Sequence, residues 1–299
     1  MNYRNLPKTD LNISEISFGC MSLDLNSENN ESILRTAHER GINYFDTADL
    51  YDKGANELLV GESLKQIRKD VIIATKVGNE WLPDGSSWRW NTSKDYILKA
   101  ADKSLKRLQT DYIDIYQLHG GTMDDNRDEI IEAFEILKEQ GKIRYYGISS
   151  IRPNVINAFA TETDIVSDML QYSLLDRRPE ENVLELAEKH QIGLMVRGAL
   201  AKGLLAGKPA TGFLNYSTDD VRKINSTLSN LSSLQRNIGQ TAIQYVLHNQ
   251  AVTTAVVGFR TLEQLDNLVN DNLYPSLSAQ EYQELQNCLQ PAIYEQHRI

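Results

Sequence analysis

Short apolar runs rich in β-branched and aromatic residues alternate along this chain with longer stretches whose apolar positions recur every three to four residues. Eight short runs stand out, at residues 16–19, 43–46, 71–76, 112–118, 145–148, 169–171, 193–196 and 254–257. Runs of this length without polar alternation suit strands covered on both faces, the usual state of a parallel sheet. The stretches between them carry the spacing of amphipathic helices. In residues 28–40, Ile33, Leu34, Ala37 and His38 keep that spacing, and Gly41 supplies a stop. Residues 126–140 set Ile130, Ile131, Phe134 and Leu137 on one face, with Gly141 after them. Ser93 is placed to cap a helix over 94–107, and Ser278 to cap one over 278–289.

Strands alternating with helices predict an α/β fold, and eight such units predict a closed (β/α)8 TIM barrel. The stretch up to about Glu15 reads as an N-terminal hairpin outside the barrel, and the segment after the last strand as extra C-terminal helices. Residues 208–240, polar and rich in Ser and Asn, read as an elaborated loop and helix ahead of the eighth strand. No linker or repeat splits the pattern, so residues 1–299 read as one domain.

Composition narrows this picture. A length of 299 residues fits one barrel of roughly 250 residues with modest extensions, although length alone equally allows two smaller domains. A net charge of −10 argues against nucleic acid or an anionic membrane as partner, since both attract basic surfaces. It leaves room for a local basic pocket around a phosphate. Cys20 and Cys288 are too few and too far apart for a disulfide framework or a metal cluster, which suits a reducing compartment. The N-terminus lacks the apolar core of a secretion signal and no apolar run is long enough to span a bilayer, so a cytoplasmic location is expected.

In a TIM barrel the functional side chains stand at the C-terminal ends of the strands. Asp46 ends the second predicted strand, Tyr51 lies in the loop after it, Lys76 ends the third and His119 follows the fourth. Adjacent strands would bring a carboxylate, a phenol, an ammonium and an imidazole to one mouth. Here the chain resembles a known family. Asp46-Thr47-Ala48 followed by Tyr51, with Gly54-Ala55-Asn56-Glu57 and Gly61-Glu62 behind it, resembles the aldo-keto reductases of bacterial type. Ala74-Thr75-Lys76 and Gln117-Leu118-His119 match the next two strand motifs in order and spacing, and the resemblance runs from about Leu6 to about Leu289. It implies reduction of an aldehyde or ketone by NADPH, with Tyr51 as general acid assisted by Lys76, Asp46 and His119. On this reading the Lys76 ammonium lowers the cost of the tyrosinate, while Asp46 holds Lys76 in place and charged.

No Gly-x-Gly-x-x-Gly follows a strand, so a Rossmann domain is not indicated. Gly258-Phe259-Arg260-Thr261 does follow the eighth strand and opens a helix, where backbone N–H groups and a guanidinium suit a phosphate. The resemblance extends the set. It implies that Ser149, Ser150 and Gln171 hold the nicotinamide carboxamide, with Ser150 standing where the family usually has Asn. It assigns Gly198, Leu200 and Lys202 to the pyrophosphate, and Arg260, Gln264 and Asn267 to the adenosine 2′-phosphate and adenine. Arg260 therefore predicts NADPH over NADH. Arg197 falls where the family usually stacks an aromatic ring on the nicotinamide; a planar guanidinium can stack or bond the pyrophosphate, and a salt bridge to an acidic neighbour is its other reading.

All three tryptophans, Trp81, Trp88 and Trp90, fall in the loop after Lys76, where they either wall an apolar pocket or pack the loop onto the rim. Met21, Leu23 and Leu25 are placed to line the same mouth, and Gly120-Gly121 after His119 are expected to widen it. The expected partner is a small carbonyl compound; its identity and the oligomeric state stay open at this level. Two other functions fit parts of the pattern. Some relatives bind NADP(H) as redox-sensing channel subunits without a metabolic substrate. A metal-dependent barrel hydrolase would need several His, Asp and Glu at strand ends, and among five histidines only His119 is so placed.

Overall fold

The computed structural model describes residues 1–269 and 274–299. The chain opens with a hairpin, β1 (Tyr3–Asn5) against β2 (Asn12–Ser14), and enters the barrel at β3 (Ile16–Gly19). Helix α1 (Asn30–Glu39) leads to β4 (Tyr44–Asp46), and α2 (Ala55–Leu64) leads to β5 (Ile72–Val77). A second hairpin, β6 (Asn79–Trp81) with β7 (Trp88–Trp90), rises from the end of β5. There follow α3 (Lys94–Leu108), β8 (Ile113–Leu118), α4 (Arg127–Glu139) and β9 (Ile143–Ile148). Next come α5 (Pro153–Glu162), β10 (Ser167–Gln171), α6 (Val183–His190) and β11 (Gly193–Arg197). Helices α7 (Thr218–Leu231) and α8 (Ile238–Leu247) precede β12 (Val252–Val257), and α9 (Leu262–Leu268) and α10 (Ala279–Cys288) follow it. The parallel barrel runs β3–β4–β5–β8–β9–β10–β11–β12 and closes on itself. All eight barrel strands stand where the pattern placed them, with no end shifted by more than two residues. No helix among the described residues is long and apolar enough to cross a membrane.

Strand alternation sorts side chains into two layers. Tyr44, Ile72, Ala74, Ile115, Met169, Met195 and Val256 fill the barrel with Leu6, Leu11 and Ile13 of the first hairpin, which stops its N-terminal end. The opposite faces, including Phe45, Ile73, Val77 and Tyr116, pack under the helices. That hairpin is the one expected from the sequence.

Three local expectations are corrected. Ser93 does precede α3, but its hydroxyl donates to Asn91 Oδ1 at 2.8 Å and caps nothing, whereas Ser278 forms a full capping box with Glu281. Residues 208–240 do not hold a loop and one helix. They carry all of α7 and the start of α8, opened by capping boxes of Ser217 with Asp220 and Asn237 with Gln240. The tryptophan loop is the β6–β7 hairpin, in which Trp81 and Trp88 are cross-strand partners.

Candidate active site

The axial faces of β4 and β5 deliver the charged pair. Asp46 follows Tyr44 and Lys76 follows Ala74, and the register sets Asp46 against Ala74. Both side chains are buried. Lys76 Nζ donates to Asp46 Oδ2 at 2.6 Å, to the Thr47 carbonyl at 2.7 Å and to Tyr51 Oη at 3.5 Å. His119, one residue past β8, meets the Tyr51 ring edge-on, with centroids 5.9 Å apart and planes at 85°. The four residues singled out by sequence therefore share one mouth. The turn carrying Tyr51 is strained, with Asp52 and Lys53 both left-handed (φ 49° and 56°). Non-glycine residues hold such angles only where their surroundings enforce them.

Buried polar groups lie behind the turn. Thr47 Oγ1 donates to Asn56 Oδ1 at 2.7 Å, and Asn56 Nδ2 donates to the Cys20 carbonyl at 2.9 Å. Thr75 Oγ1 donates to Glu57 Oε1 at 2.6 Å, and Arg107 Nε donates to Glu57 Oε2 at 2.6 Å. Glu57 is fully buried, and a buried carboxylate needs such partners. Sequence reading noted Asn56 and Glu57 without a role and missed Arg107. Glu57 shares the buried face of α2 with Asn56, Val60, Gly61, Ser63 and Leu64, and a carboxylate on a buried face calls for a cation.

Burial dominates the electrostatics of the mouth. It works against the charged form of Lys76, but the Asp46 carboxylate and the Tyr51 oxygen outweigh it, so the ammonium is held above its ordinary value. Burial raises Asp46 against the pull of Lys76. It also raises the Tyr51 phenol, and Lys76 offsets this only in part. Lys76 lowers the cost of the tyrosinate, as expected, but burial outweighs it and the resting group is a neutral phenol. Burial, then Lys76 and Arg197, lower His119 to about 3. Its imidazole is neutral at ordinary pH, with Nδ1 buried and unpaired among the described residues.

The loops after β9 to β12 form the other side of the mouth. Arg197 ends β11 beside Gln171, its register partner on β10, and is exposed. Its charge acts on Asp46, Tyr51, His119 and Asp168, and it has no carboxylate partner among the described residues, so the salt-bridge reading has no support. Its Nη1 donates to Gln171 Oε1 at 3.1 Å. Gly198, Lys202, Gly258, Arg260, Gln264 and Asn267 are exposed, and Leu200 is half-buried. Arg260 Nε donates to the Ser22 carbonyl at 3.3 Å and its N–H to Gln264 Oε1 at 2.8 Å. Ser22 Oγ donates to the Gly19 and Phe259 carbonyls, tying the loop after β3 to the loop after β12; sequence reading did not find it. Ser149 is half-buried, and Ser150 is buried with its Oγ accepting from the Arg152 N–H at 3.3 Å. The Ser150 N–H donates to Asp168 Oδ1 at 3.0 Å. Asp168, which the sequence reading overlooked, is fully buried, keeps Oδ2 unpaired among the described residues and is pushed up to about 8 by burial.

Among the suggested pocket residues, Met21 and Trp88 are exposed and Trp81 is half-buried, its Nε1 donating to the Leu50 carbonyl at 3.3 Å beside Tyr51. Gly120 and Gly121 do not widen the mouth. The Trp90 ring lies over Gly78 and Gly120, where a Cβ would stand 2.7 Å and 3.4 Å from it, and Val155 fills the space at Gly121. Trp90 Nε1 donates to Asp125 Oδ1 at 2.7 Å.

A closed parallel barrel carrying these strand-end motifs defines the class: residues 15–290 match the aldo/keto reductase family, and the chain belongs to that family of oxidoreductases. It is 46% identical to an oxidoreductase of Bacillus subtilis, YqkF, over the full length of both chains. An aldo-keto reductase from Bacillus halodurans, solved in a holo form, superposes with a TM-score of 0.95 at 47% identity, each chain covered completely. An NADP(+) aldo-keto reductase of Schizosaccharomyces pombe is 35% identical over 65% of this chain and 60% of its own length.

Proposed function

We propose that this protein reduces an aldehyde or ketone to the alcohol with NADPH, Tyr51 serving as the general acid. One observation carries the reading: a buried Lys76–Asp46 pair in hydrogen-bond reach of Tyr51 Oη, with the His119 ring beside it. The cofactor side fits the reading on charge. Arg197 at the end of β11, and Lys202 and Arg260 on the loops after β11 and β12, are exposed, and none pairs with a carboxylate among the described residues, in a chain of net charge −10. Unpaired cations on one sector of the rim suit phosphate groups, and the NADP(+) specificity in the name of the yeast relative points the same way.

When bound, the cofactor supplies the hydride. The protein supplies the proton and holds the carbonyl. A neutral Tyr51 phenol donates a hydrogen bond to the carbonyl oxygen, and charge develops on that oxygen as the bond order falls. The Lys76 ammonium stabilises the tyrosinate left when the proton moves, and Asp46 with the Thr47 carbonyl fixes Lys76 in place. His119 offers a neutral N–H to the same oxygen and orients the substrate. Ser149, Ser150, Gln171 and Arg197 would face the nicotinamide, Gly198, Leu200 and Lys202 the pyrophosphate, and Gly258, Arg260, Gln264 and Asn267 the adenosine 2′-phosphate end. Met21, Trp81 and Trp88 would border the substrate.

Fluorescence titration with NADPH and NADH, followed by turnover of an aldehyde and ketone panel, tests this. Tyr51→Phe is expected to bind NADPH normally and to lose about 10²- to 10⁴-fold in carbonyl reduction, the usual weight of a general acid. Near-native turnover in that variant removes Tyr51 as the acid. Equal affinity for both nucleotides removes the 2′-phosphate role of Arg260.

A further inference from the structure

Arg197 sits at the end of a chain of polar contacts that the reaction itself does not require. Its Nη1 donates to Gln171 Oε1 at 3.1 Å, and Gln171 Nε2 donates to Asp176 Oδ2 at 2.9 Å. Arg178 grips Asp176 with two bonds, Nε to Oδ1 and Nη2 to Oδ2, both 2.7 Å. The Arg178 guanidinium in turn lies 5.5 Å from the centroid of the Tyr294 ring. Asp176 is fully buried, in a tight turn closed by reciprocal N–H to carbonyl bonds with Ser173. Gly198, at φ 74°, lets the Gln171 stem lie against the chain just after Arg197, 3.1 Å from where a Cβ would be.

The polarity of this chain is dictated from its buried end. A carboxylate held by a guanidinium can only accept, so it takes the N–H side of the Gln171 amide. That turns the amide oxygen to the rim, where Arg197, which can only donate, needs an acceptor. We propose that Asp176, through the amide of Gln171, is a positioning residue that presets the Arg197 guanidinium for NADPH. The proposal rests on the reading above that Arg197 faces the cofactor. Holding a long cation in one geometry before binding removes an ordering cost of about 0.5–1.5 kcal/mol per side chain, equivalent to roughly 2- to 12-fold in affinity.

Asp176→Asn is the sharpest probe because it is isosteric and keeps a polar group in the turn. In the native turn Oδ2 accepts from both Gln171 Nε2 and Arg178 Nη2 while Oδ1 accepts from Arg178 Nε, so an asparagine turns one side of this grip into an N–H₂ donor that meets other donors. With the N–H₂ on the Gln171 side the Gln171 amide reverses and Arg197 meets donors; with it on the other side it faces Arg178 Nε, the guanidinium is pushed from the turn, and the anchor of the Gln171 amide loosens. The expected result is an NADPH dissociation constant raised about 2- to 12-fold, measured by quenching of protein fluorescence without turnover. Gln171→Met, which removes both bonds, is expected to do the same. In an Arg197→Ala background Asp176→Asn, which does not itself face the cofactor, is expected to have less than about a twofold effect, the coupling of a double-mutant cycle. Native affinity in Asp176→Asn and Gln171→Met overturns the proposal. So does an equal loss in Asp176→Asn with and without Arg197, which would mean that Asp176 acts through the fold and not through Arg197. Unchanged NADPH affinity in Arg197→Ala alone is a different failure: it overturns the cofactor role of Arg197.

Discussion

His119 shows how burial fixes the chemistry open to one side chain. A free imidazole titrates near 6.5, and a solvated one at the mouth would switch charge across physiological pH. Here burial, with the nearby cations Lys76 and Arg197, lowers it to about 3. Between pH 5 and 8 the ring is neutral and can give a hydrogen bond, but it is not an imidazolium acid. The pH profile of kcat/KM for carbonyl reduction is therefore expected to lack a limb near 6.5, and His119→Gln to keep the same profile shape at a lower rate. A native limb near 6.5 that vanishes in His119→Gln would contradict this. The identities of Asp46, Tyr51, Lys76 and His119 were legible because each belongs to a motif tied to a strand end. The sign of the Tyr51 shift was not, because it depends on burial depth, which no local pattern carries. Asp168 was invisible for the same reason: its meaning comes from the Ser150 N–H, 18 positions earlier in the chain.

At the scale of elements, strands were easier to read than the loops that cover the mouth. Eight largely apolar runs alternating with helical spacing repeat one unit along the whole chain, whereas β6 and β7 span three residues each. The turn signal between them, Pro83-Asp84-Gly85, was present and would have marked a hairpin. The capping boxes at Ser217 and Asn237 would likewise have divided the polar stretch before the last strand into two helices. The β6–β7 hairpin is pinned by Trp90, whose ring occupies the space that the bare Gly78 backbone leaves open. Gly78 also holds φ 126°, which side chains rarely adopt. Gly78→Ala thus combines a steric clash with backbone strain. It is expected to cost about 1–3 kcal/mol in urea unfolding and to shift tryptophan emission as the hairpin lifts. A variant with native stability and emission would show that Trp90 does not seal this corner.

The whole molecule separates what holds the barrel together from what works at its rim. Charged and polar side chains gather at the C-terminal mouth, while the N-terminal end is stopped by Leu6, Leu11 and Ile13 of the first hairpin, packed on Tyr44, Ile72, Met169 and Met195. Leu6 is completely buried and lies against Gly193 at the start of β11, where a larger residue would displace it. Truncating it removes apolar contacts and leaves a cavity between the hairpin and strands that hydrogen bonding keeps from collapsing inward. Leu6→Ala should therefore lower the free energy of unfolding by about 2–5 kcal/mol. The groups proposed to be catalytic stand at the other end of strands that the remaining core still fixes, so kcat/KM at 25 °C should change less than about twofold while the protein remains folded. A stability loss without an activity loss means that the hairpin is a plug for the barrel and no part of its chemistry. A folded variant with rates reduced tenfold would mean that the packing of the plug reaches the Lys76–Asp46 pair through the axial side chains Tyr44, Ile72 and Ala74, and that the two ends of this barrel are mechanically coupled.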